Sequence, residues 1–136
     1  TWLELVMSHL IEPKLIEPVL VYDFPASQAA LAEVKSDEHG TLVATRFELY
    51  AGGMELANGY QELRDPQEQA DRLQADDQFR GQSGLPQRPL ETRLVAALEA
   101  GFPNCSGVAL GFDRLLMIKL GLSSIKEVIP FAFERA

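Results

Sequence analysis

Two carboxylates, Glu55 and Glu62, stand seven residues apart in a stretch, residues 53–63, that carries no other charge. Carboxylates that lie close together repel each other unless they bind a divalent cation or a cationic ligand, so the pair is a candidate site for either. Because seven is an odd number, an unbroken strand would place the two side chains on opposite faces. They converge only if the strand breaks or bulges, and Asn58 and Gly59 are the expected place. The alternative is that one of the two is an ordinary surface glutamate.

A second candidate for chemistry is the set of small residues Gly107, Ala109 and Gly111, which occupy every second position. This spacing predicts a strand with one bare face, where a ligand can approach the backbone closely. Asp113 and Arg114 follow at the point where an amphipathic helix begins. An arginine beside a helix start offers a phosphate group a planar grip with two donors. The alternative is a glycine-rich core strand packed under a helix.

The elements expected around these residues are short strands, with most of the helices later in the chain. The predicted strands are residues 19–24, which form a buried strand, 42–50 and 54–58. The two glycines at 52–53 are expected to form a hairpin turn. The predicted helices are residues 1–12, 66–80, 90–100 and 113–120, and residues 33–40 are a predicted loop. The order of these elements predicts an α+β domain built on an antiparallel sheet flanked by helices.

The composition narrows the class of protein. Twelve basic and twenty acidic residues give the 136-residue chain a net charge of -8, which makes nucleic acid phosphates poor general partners. Cys105 is the only cysteine, so neither a disulfide framework nor a cysteine metal cluster is expected. No apolar run approaches the roughly 18 residues that span a bilayer, and a cytoplasmic protein without a membrane partner is expected. Because the chain starts at Thr1 in a helical pattern, we expect it to be part of a larger protein.

Three segments carry a resemblance to one enzyme family. Residues 107–114 resemble motif 3 of class II aminoacyl-tRNA synthetases, and residues 125–131 resemble the segment that closes the subclass IIb enzymes. Residues 55–63, followed by Asp65 and Gln69, are similar to the amino-acid-binding strand of lysyl-tRNA synthetases. The resemblance covers essentially the whole chain. It implies that the chain is the C-terminal portion of a class II catalytic domain.

Four segments are closer still to the truncated paralogues of lysyl-tRNA synthetase that modify elongation factor P. They are residues 22–31, 84–87, 105–111 and 133–136. Ala109 stands where the usual synthetase strand has its middle glycine, and one such carbon can change discrimination between substrates by roughly 1–3 kcal/mol. We expect Ala109 to reshape the pocket floor in favour of a β-amino acid. Motifs 1 and 2 of the family have no match in these residues and are expected upstream of Thr1.

The resemblance implies adenylation followed by acyl transfer. The carboxylate of lysine or (R)-β-lysine attacks the α-phosphate of ATP, pyrophosphate leaves, and an amine of elongation factor P takes the acyl group. ATP and Mg²⁺ are the implied cofactors, and the full-length protein is expected to be a homodimer. tRNA is not an expected acceptor. The isolated chain is expected to be inactive, because the motif 2 arginine on ATP lies outside it.

On the nucleotide side, the resemblance makes Arg114 the catalytic residue that grips the γ-phosphate. Gly111 would let the adenine or the ribose approach the backbone. Glu55, together with the main chain at Leu56, would face ATP and its magnesium.

On the amino-acid side, the resemblance pairs Glu62 with the substrate ammonium, with Asn58 beside it and Ala109 in the pocket floor. Because magnesium and a substrate amine compete for the same carboxylates, Glu55 and Glu62 are both candidate metal ligands.

Two other interpretations of the whole chain stay open. The chain can be a catalytic fragment of a lysyl-tRNA synthetase, or a synthetase-like binding module without activity.

Overall fold

The computed structural model describes residues 2–88 and 91–135. The elements in these ranges are α1 (Trp2–Val6), β1 (Val19–Pro25), β2 (Val34–Ser36), β3 (Leu42–Ala51), β4 (Met54–Gln61), α2 (Pro66–Gln82), α3 (Thr92–Glu99), β5 (Ser106–Leu110) and α4 (Phe112–Leu120). Shorter helical turns are a π turn at Met7–Ile11 and 3-10 turns at Glu12–Lys14, Ala26–Gln28, Ile125–Glu127 and Phe133–Arg135. The predicted α+β class, with an open antiparallel sheet flanked by helices, is confirmed.

All strand pairs of the sheet are antiparallel, and the order is β1-β3-β4-β5. β1 pairs with residues 43–50 along one edge of β3. β4 pairs with residues 46–51 and β2 with residues 42–44, so these two strands share the other edge. The hairpin between β3 and β4 turns at Gly52 and Gly53, whose φ angles are 60° and 72°. Both angles are in the left-handed region that favours glycine, which confirms the predicted turn.

The later helices begin and end where local signals place them. Asp65 caps α2 by accepting a hydrogen bond from the Glu68 N–H at 3.0 Å. α4 ends at Gly121, whose φ of 67° allows a left-handed cap. The predicted helix starts at Thr1 and Leu90 lie outside the described residues. None of the helices in the described ranges is both long and apolar enough to cross a membrane.

Two local predictions are wrong. The strand at 19–24 exists as β1, but Leu20 and Tyr22 are 55% and 69% exposed, so the predicted burial on both faces is absent. The predicted loop at 33–40 contains β2, since pairing with β3 outweighs the weak local pattern. The first helical run ends at Ile11, before Pro13 as predicted, and Pro13 lies in a separate 3-10 turn, whose first positions tolerate proline.

The buried core of the described residues is small. One cluster joins Ala29, Ala32 and Ala44, with Phe24, Val34 and Tyr60 packed against it. Many large apolar side chains are exposed instead, including Trp2 at 85%, Val108 at 63%, Phe112 at 69% and Phe133 at 93%. Extensive exposed apolar surface is typical of a region that packs against further structure.

Candidate active site

One face of the sheet carries most of the polar candidates. Residues that pair directly across an antiparallel ladder share a face, and the ladder pairs Asn58 with Glu48 on one side and with Ala109 on the other. Alternation along each strand extends this set. The polar face, as we call it, consists of Arg46, Glu48, Tyr50, Glu55, Asn58, Tyr60, Gly107 and Ala109.

A β-bulge at Leu56 brings Glu55 onto the polar face. Leu49 pairs with Ala57, but the next residue, Tyr50, pairs with Glu55, so Leu56 has no partner on β3. The extra residue shifts the alternation by one position. Glu55 and Asn58 therefore lie on the same face although they are three residues apart.

Glu62 lies on the same face, just past the end of β4. Its Oε1 is 2.5 Å from the position that a Cβ on Gly107 would occupy, so its side chain lies over that glycine. The predicted bulge between the two glutamates is thus confirmed, but its predicted position at Asn58 and Gly59 is wrong. Gly59 pairs regularly with Phe47, and its missing side chain makes room for the Phe47 ring.

The junction of β5 and α4 holds the bulge in place. The Arg114 Nη1 donates to the Glu55 carbonyl at 2.8 Å, and the Gly111 N–H donates to the Leu56 carbonyl at 2.7 Å. These bonds satisfy the carbonyl groups of Glu55 and Leu56. Within the described residues, the Nε and Nη2 groups of Arg114 donate no hydrogen bond. They share one edge of the planar guanidinium, so a two-donor edge is available for a phosphate.

Glu48 is a buried carboxylate that sequence reasoning missed. It is 6% exposed and accepts hydrogen bonds from the Arg46 guanidinium and the Tyr50 hydroxyl. Burial, and then the hydrogen bond to Glu48, raise the pKa of Tyr50 well above its usual range. Arg46 also reaches the Asn58 side chain at 3.4 Å. The available signal was the polar alternation of residues 46, 48 and 50, which predicts one shared strand face.

A cavity of about 700 Å³ opens over part of this face. Its walls include Glu12, Arg46, Glu48, Tyr50 and Glu55. Burial, and then the charge of Glu48, raise the pKa of Glu55, while Arg114 and Arg46 oppose the shift. Ionisation of Glu55 is therefore less favourable than that of a free glutamate, and a bound cation would offset this cost. The cavity suits a ligand that brings positive charge.

Glu48 and Glu55 both line the cavity and supply carboxylate oxygens, the ligands that magnesium prefers. Magnesium is usually bound by one or two carboxylates and by substrate phosphates, and Glu48 keeps free lone pairs beyond its two hydrogen bonds. No group of three or more histidine, cysteine, aspartate or glutamate side chains among residues 2–88 and 91–135 is placed to hold a metal by itself. The Glu62 side chain lies over Gly107. Its assignment as a metal ligand stays a prediction.

The amino-acid candidates share the polar face at its β5 side. Ala109 is exposed and lies directly across the ladder from Asn58. The Glu62 N–H donates to the Cys105 carbonyl at 3.1 Å, which fixes the backbone from which the carboxylate extends. The structure places Asn58, Glu62 and Ala109 together, and their roles toward a substrate stay predictions.

We expect Glu55→Gln, made in the complete protein that carries this chain, to raise the unfolding temperature near neutral pH while weakening the use of Mg²⁺ and ATP. The raised pKa means that ionisation of Glu55 is less favourable in the folded than in the unfolded chain. The stabilisation from that preference is fully present in acid and is lost as the pH rises through the folded-state pKa. Glutamine is neutral throughout, so its advantage should appear at neutral pH and vanish in acid.

Thermal unfolding of both proteins across this pH range measures the effect. Glu17→Gln is the matched control, since Glu17 is exposed and has no hydrogen-bond partner in the described part of the chain. A glutamine variant of Glu55 that is less stable than the parent at neutral pH contradicts the expectation.

Two glycine replacements separate the site from the scaffold. In Gly107→Ala the new Cβ meets only the flexible end of Glu62, so the fold should survive while Glu62 moves. The KM for the amino acid should then rise about tenfold, because a charge-assisted hydrogen bond is misplaced.

In Gly59→Ala the Cβ meets the Phe47 ring and lies 2.9 Å from the Gly107 carbonyl. Since neither can move cheaply, stability should fall by about 1–3 kcal/mol. Denaturant unfolding with steady-state kinetics distinguishes the two, and equal stability loss in both variants refutes the placement of Glu62.

Comparison with known proteins gives a consistent result. Residues 3–135 match the family model of tRNA synthetases class II (D, K and N). The chain is 52% identical to the elongation factor P--(R)-beta-lysine ligase of Pasteurella multocida (strain Pm70) over 138 residues. It is 51% identical to the proteins of the same name from Haemophilus ducreyi (strain 35000HP / ATCC 700724) and Proteus mirabilis (strain HI4320). Each match covers the whole chain but only 42% of the relative's length.

Proposed function

Because this chain belongs to the family of class II tRNA synthetases, whose model it matches over residues 3–135, we propose that residues 1–136 are the C-terminal portion of the catalytic domain of an ATP-dependent ligase. The ligase activates (R)-β-lysine, or lysine, as its adenylate and transfers it to a lysine side chain of elongation factor P. The names of relatives at 51–52% identity support this substrate pair. The complete protein is a cytoplasmic homodimer in this proposal.

The observation that carries the proposal is the bulge at Leu56. It places Glu55 on one face with Asn58 and Glu62, and Arg114 binds the carbonyl of Glu55. A nucleotide clamp and an ammonium-binding carboxylate are thereby connected through a single strand. Adenylation needs this arrangement, since it depends on aligning two substrates and neutralising phosphate charge more than on a side-chain acid or base.

In the proposed reaction, the open Nε and Nη2 edge of Arg114 binds the γ-phosphate of ATP and orients the triphosphate for in-line attack. Bare backbone at Gly111 and the main chain at Leu56 accommodate the nucleoside. Glu48 and Glu55 hold the magnesium ion, which neutralises phosphate charge when it is bound. The bond between the α- and β-phosphates breaks as the amino-acid carboxylate attacks, and pyrophosphate leaves.

Glu62 binds the distal ammonium of the amino acid and thereby sets the distance of its carboxylate from the nucleotide. Asn58 supplies a polar contact beside it, and the Ala109 methyl group fills the space beneath the α-carbon. The acyl group then passes to the acceptor amine, and AMP leaves. The acidic net charge of -8 favours a protein acceptor over tRNA.

The test is adenylate formation by the complete protein that carries this chain, followed by acyl transfer. Pyrophosphate release is measured with lysine and with (R)-β-lysine, and labelled product is then sought on elongation factor P and on tRNA offered separately. We expect product on elongation factor P alone. Acylation of tRNA alone would establish the lysyl-tRNA synthetase alternative, and absence of adenylate with both amino acids would establish the binding module.

The isolated 136-residue chain provides a second test. We expect no pyrophosphate exchange above an enzyme-free control, because the proposed ATP clamp includes a motif 2 arginine that these residues lack. Exchange by the isolated chain would show that Arg114, Glu48 and Glu55 suffice to bind and align ATP.

A further inference from the structure

The segment that follows α1 is bound along the β3–β4 hairpin by three hydrogen bonds. The Gly52 N–H donates to the Ile16 carbonyl at 2.8 Å, and the Gly53 N–H donates to the Leu15 carbonyl at 3.0 Å. The third bond uses a side chain, since the Glu55 N–H donates to Oε1 of Glu12 at 3.3 Å. The bonds from Gly52 and Gly53 fix the turn, and the bond from Glu55 fixes the residue just before the bulge.

Glu55 is thereby held on both sides of its backbone by ionic side chains. Its N–H is bound by the carboxylate of Glu12, and its carbonyl is bound by the guanidinium of Arg114. A bulge leaves the ladder locally incomplete, so these two side chains fix an orientation that strand pairing alone does not determine. Glu12 also lines the same cavity as the Glu55 side chain.

The charge of Glu12 argues for a role beyond connecting two segments. Its carboxylate lines the same cavity as that of Glu55, so the two negative charges repel each other in the absence of a ligand. A backbone acceptor, of the kind that holds Gly52 and Gly53, would bind the amide without this cost.

We infer that Glu12 is a positioning residue that orients Glu55 toward the magnesium and nucleotide, an inference that rests on the proposed function. In this role Glu12 acts through its hydrogen bond to the Glu55 amide. Its loss should therefore affect the nucleotide side of the reaction and leave amino-acid binding at Glu62 unchanged.

The experiment compares Glu12→Ala, Glu12→Gln and Glu17→Ala in the complete protein that carries this chain. We expect Glu12→Ala to raise the KM for Mg²⁺-ATP about tenfold, the usual effect of losing one hydrogen bond to a charged group, with the KM for the amino acid unchanged. Glu12→Gln keeps the acceptor oxygen and should restore most of the loss. Exposed Glu17 in the same segment should have no effect. Equal changes in both KM values, or a glutamine variant as impaired as the alanine variant, would overturn the inference.

A structural readout separates this inference from the proposed function. Hydrogen exchange of the Glu55 amide should accelerate in Glu12→Ala, while the Gly53 amide, which is bound to the Leu15 carbonyl, should exchange at the parental rate. This holds even if the protein forms no adenylate, in which case only the proposed function fails. An unchanged Glu55 exchange rate overturns the positioning role whatever the activity.

Discussion

Replacing Arg114 with lysine in the complete protein will lower adenylate formation by about a hundredfold or more while the fold survives. Arg114 has two tasks in the proposed function, because Nη1 binds the Glu55 carbonyl while the Nε and Nη2 edge is the proposed grip on a phosphate. A lysine ammonium is a single point charge and cannot provide both contacts. Loss of one or more charge-assisted hydrogen bonds of roughly 1.5–3 kcal/mol each accounts for the size of the effect.

The measurement is pyrophosphate release against ATP concentration, together with thermal unfolding. Arg93→Lys is the matched control, because Arg93 is exposed and forms a surface ion pair with Glu91 at 3.1 Å. Surface pairs of this kind contribute little, so that variant should behave like the parent. An Arg114→Lys variant with the parental rate would contradict the phosphate grip and leave Arg114 only its contact with the Glu55 carbonyl.

Replacing Ala109 with glycine will shift the preference between lysine isomers toward α-lysine by up to about a hundredfold, the upper range for one carbon of discrimination. Ala109 is exposed on the polar face and lies across the ladder from Asn58, so its methyl group extends into the space where a substrate would lie. Glycine removes that methyl group and restores the space that the synthetase strand usually has. Strand pairing uses only the backbone and should be preserved.

Adenylate formation with each isomer measures the shift, and Glu62→Gln is the companion variant. Both isomers carry the distal ammonium, so Glu62→Gln should weaken both alike, by the loss of a charge-assisted hydrogen bond of roughly 1.5–3 kcal/mol. An isomer ratio that is unchanged in Ala109→Gly removes the role of Ala109. A ratio that changes in Glu62→Gln would instead make the ammonium contact the source of discrimination.

Local sequence signals predicted the parts of the fold that depend on a few neighbouring residues. The turn at Gly52 and Gly53 needs two positive φ angles, and the start of α2 needs the Asp65 cap, so both are determined by adjacent residues. It was also predicted that Glu55 and Glu62 share a face only if the strand breaks or bulges between them. The position of the bulge was not, because it depends on which residue of β3 each residue of β4 meets.

Glu48 and the exposure of β1 show the other limit of sequence reasoning. Glu48 lies in a strand of ordinary polar alternation, and its importance follows only from burial beside Arg46 and Tyr50 and from its neighbour across the ladder, Asn58. The apolar run of β1 predicts burial on both faces, which requires covering layers that a local pattern cannot reveal. The burial of Glu48 and the exposure of β1 both depend on tertiary contacts, which residue type alone does not determine.

The bulge at Leu56 makes the number of residues in β4 as important as their identity. Deleting one residue between Asn58 and Glu62, with the bulge kept, would turn Glu62 to the opposite side of the sheet from Glu55, although every proposed ligand would still be present. A one-residue gap at this place in a related sequence would therefore be a stronger sign of lost activity than replacement of any one of these side chains. Grafting this strand with its seven-residue spacing into another sheet would likewise require the neighbouring strand to accept the bulge.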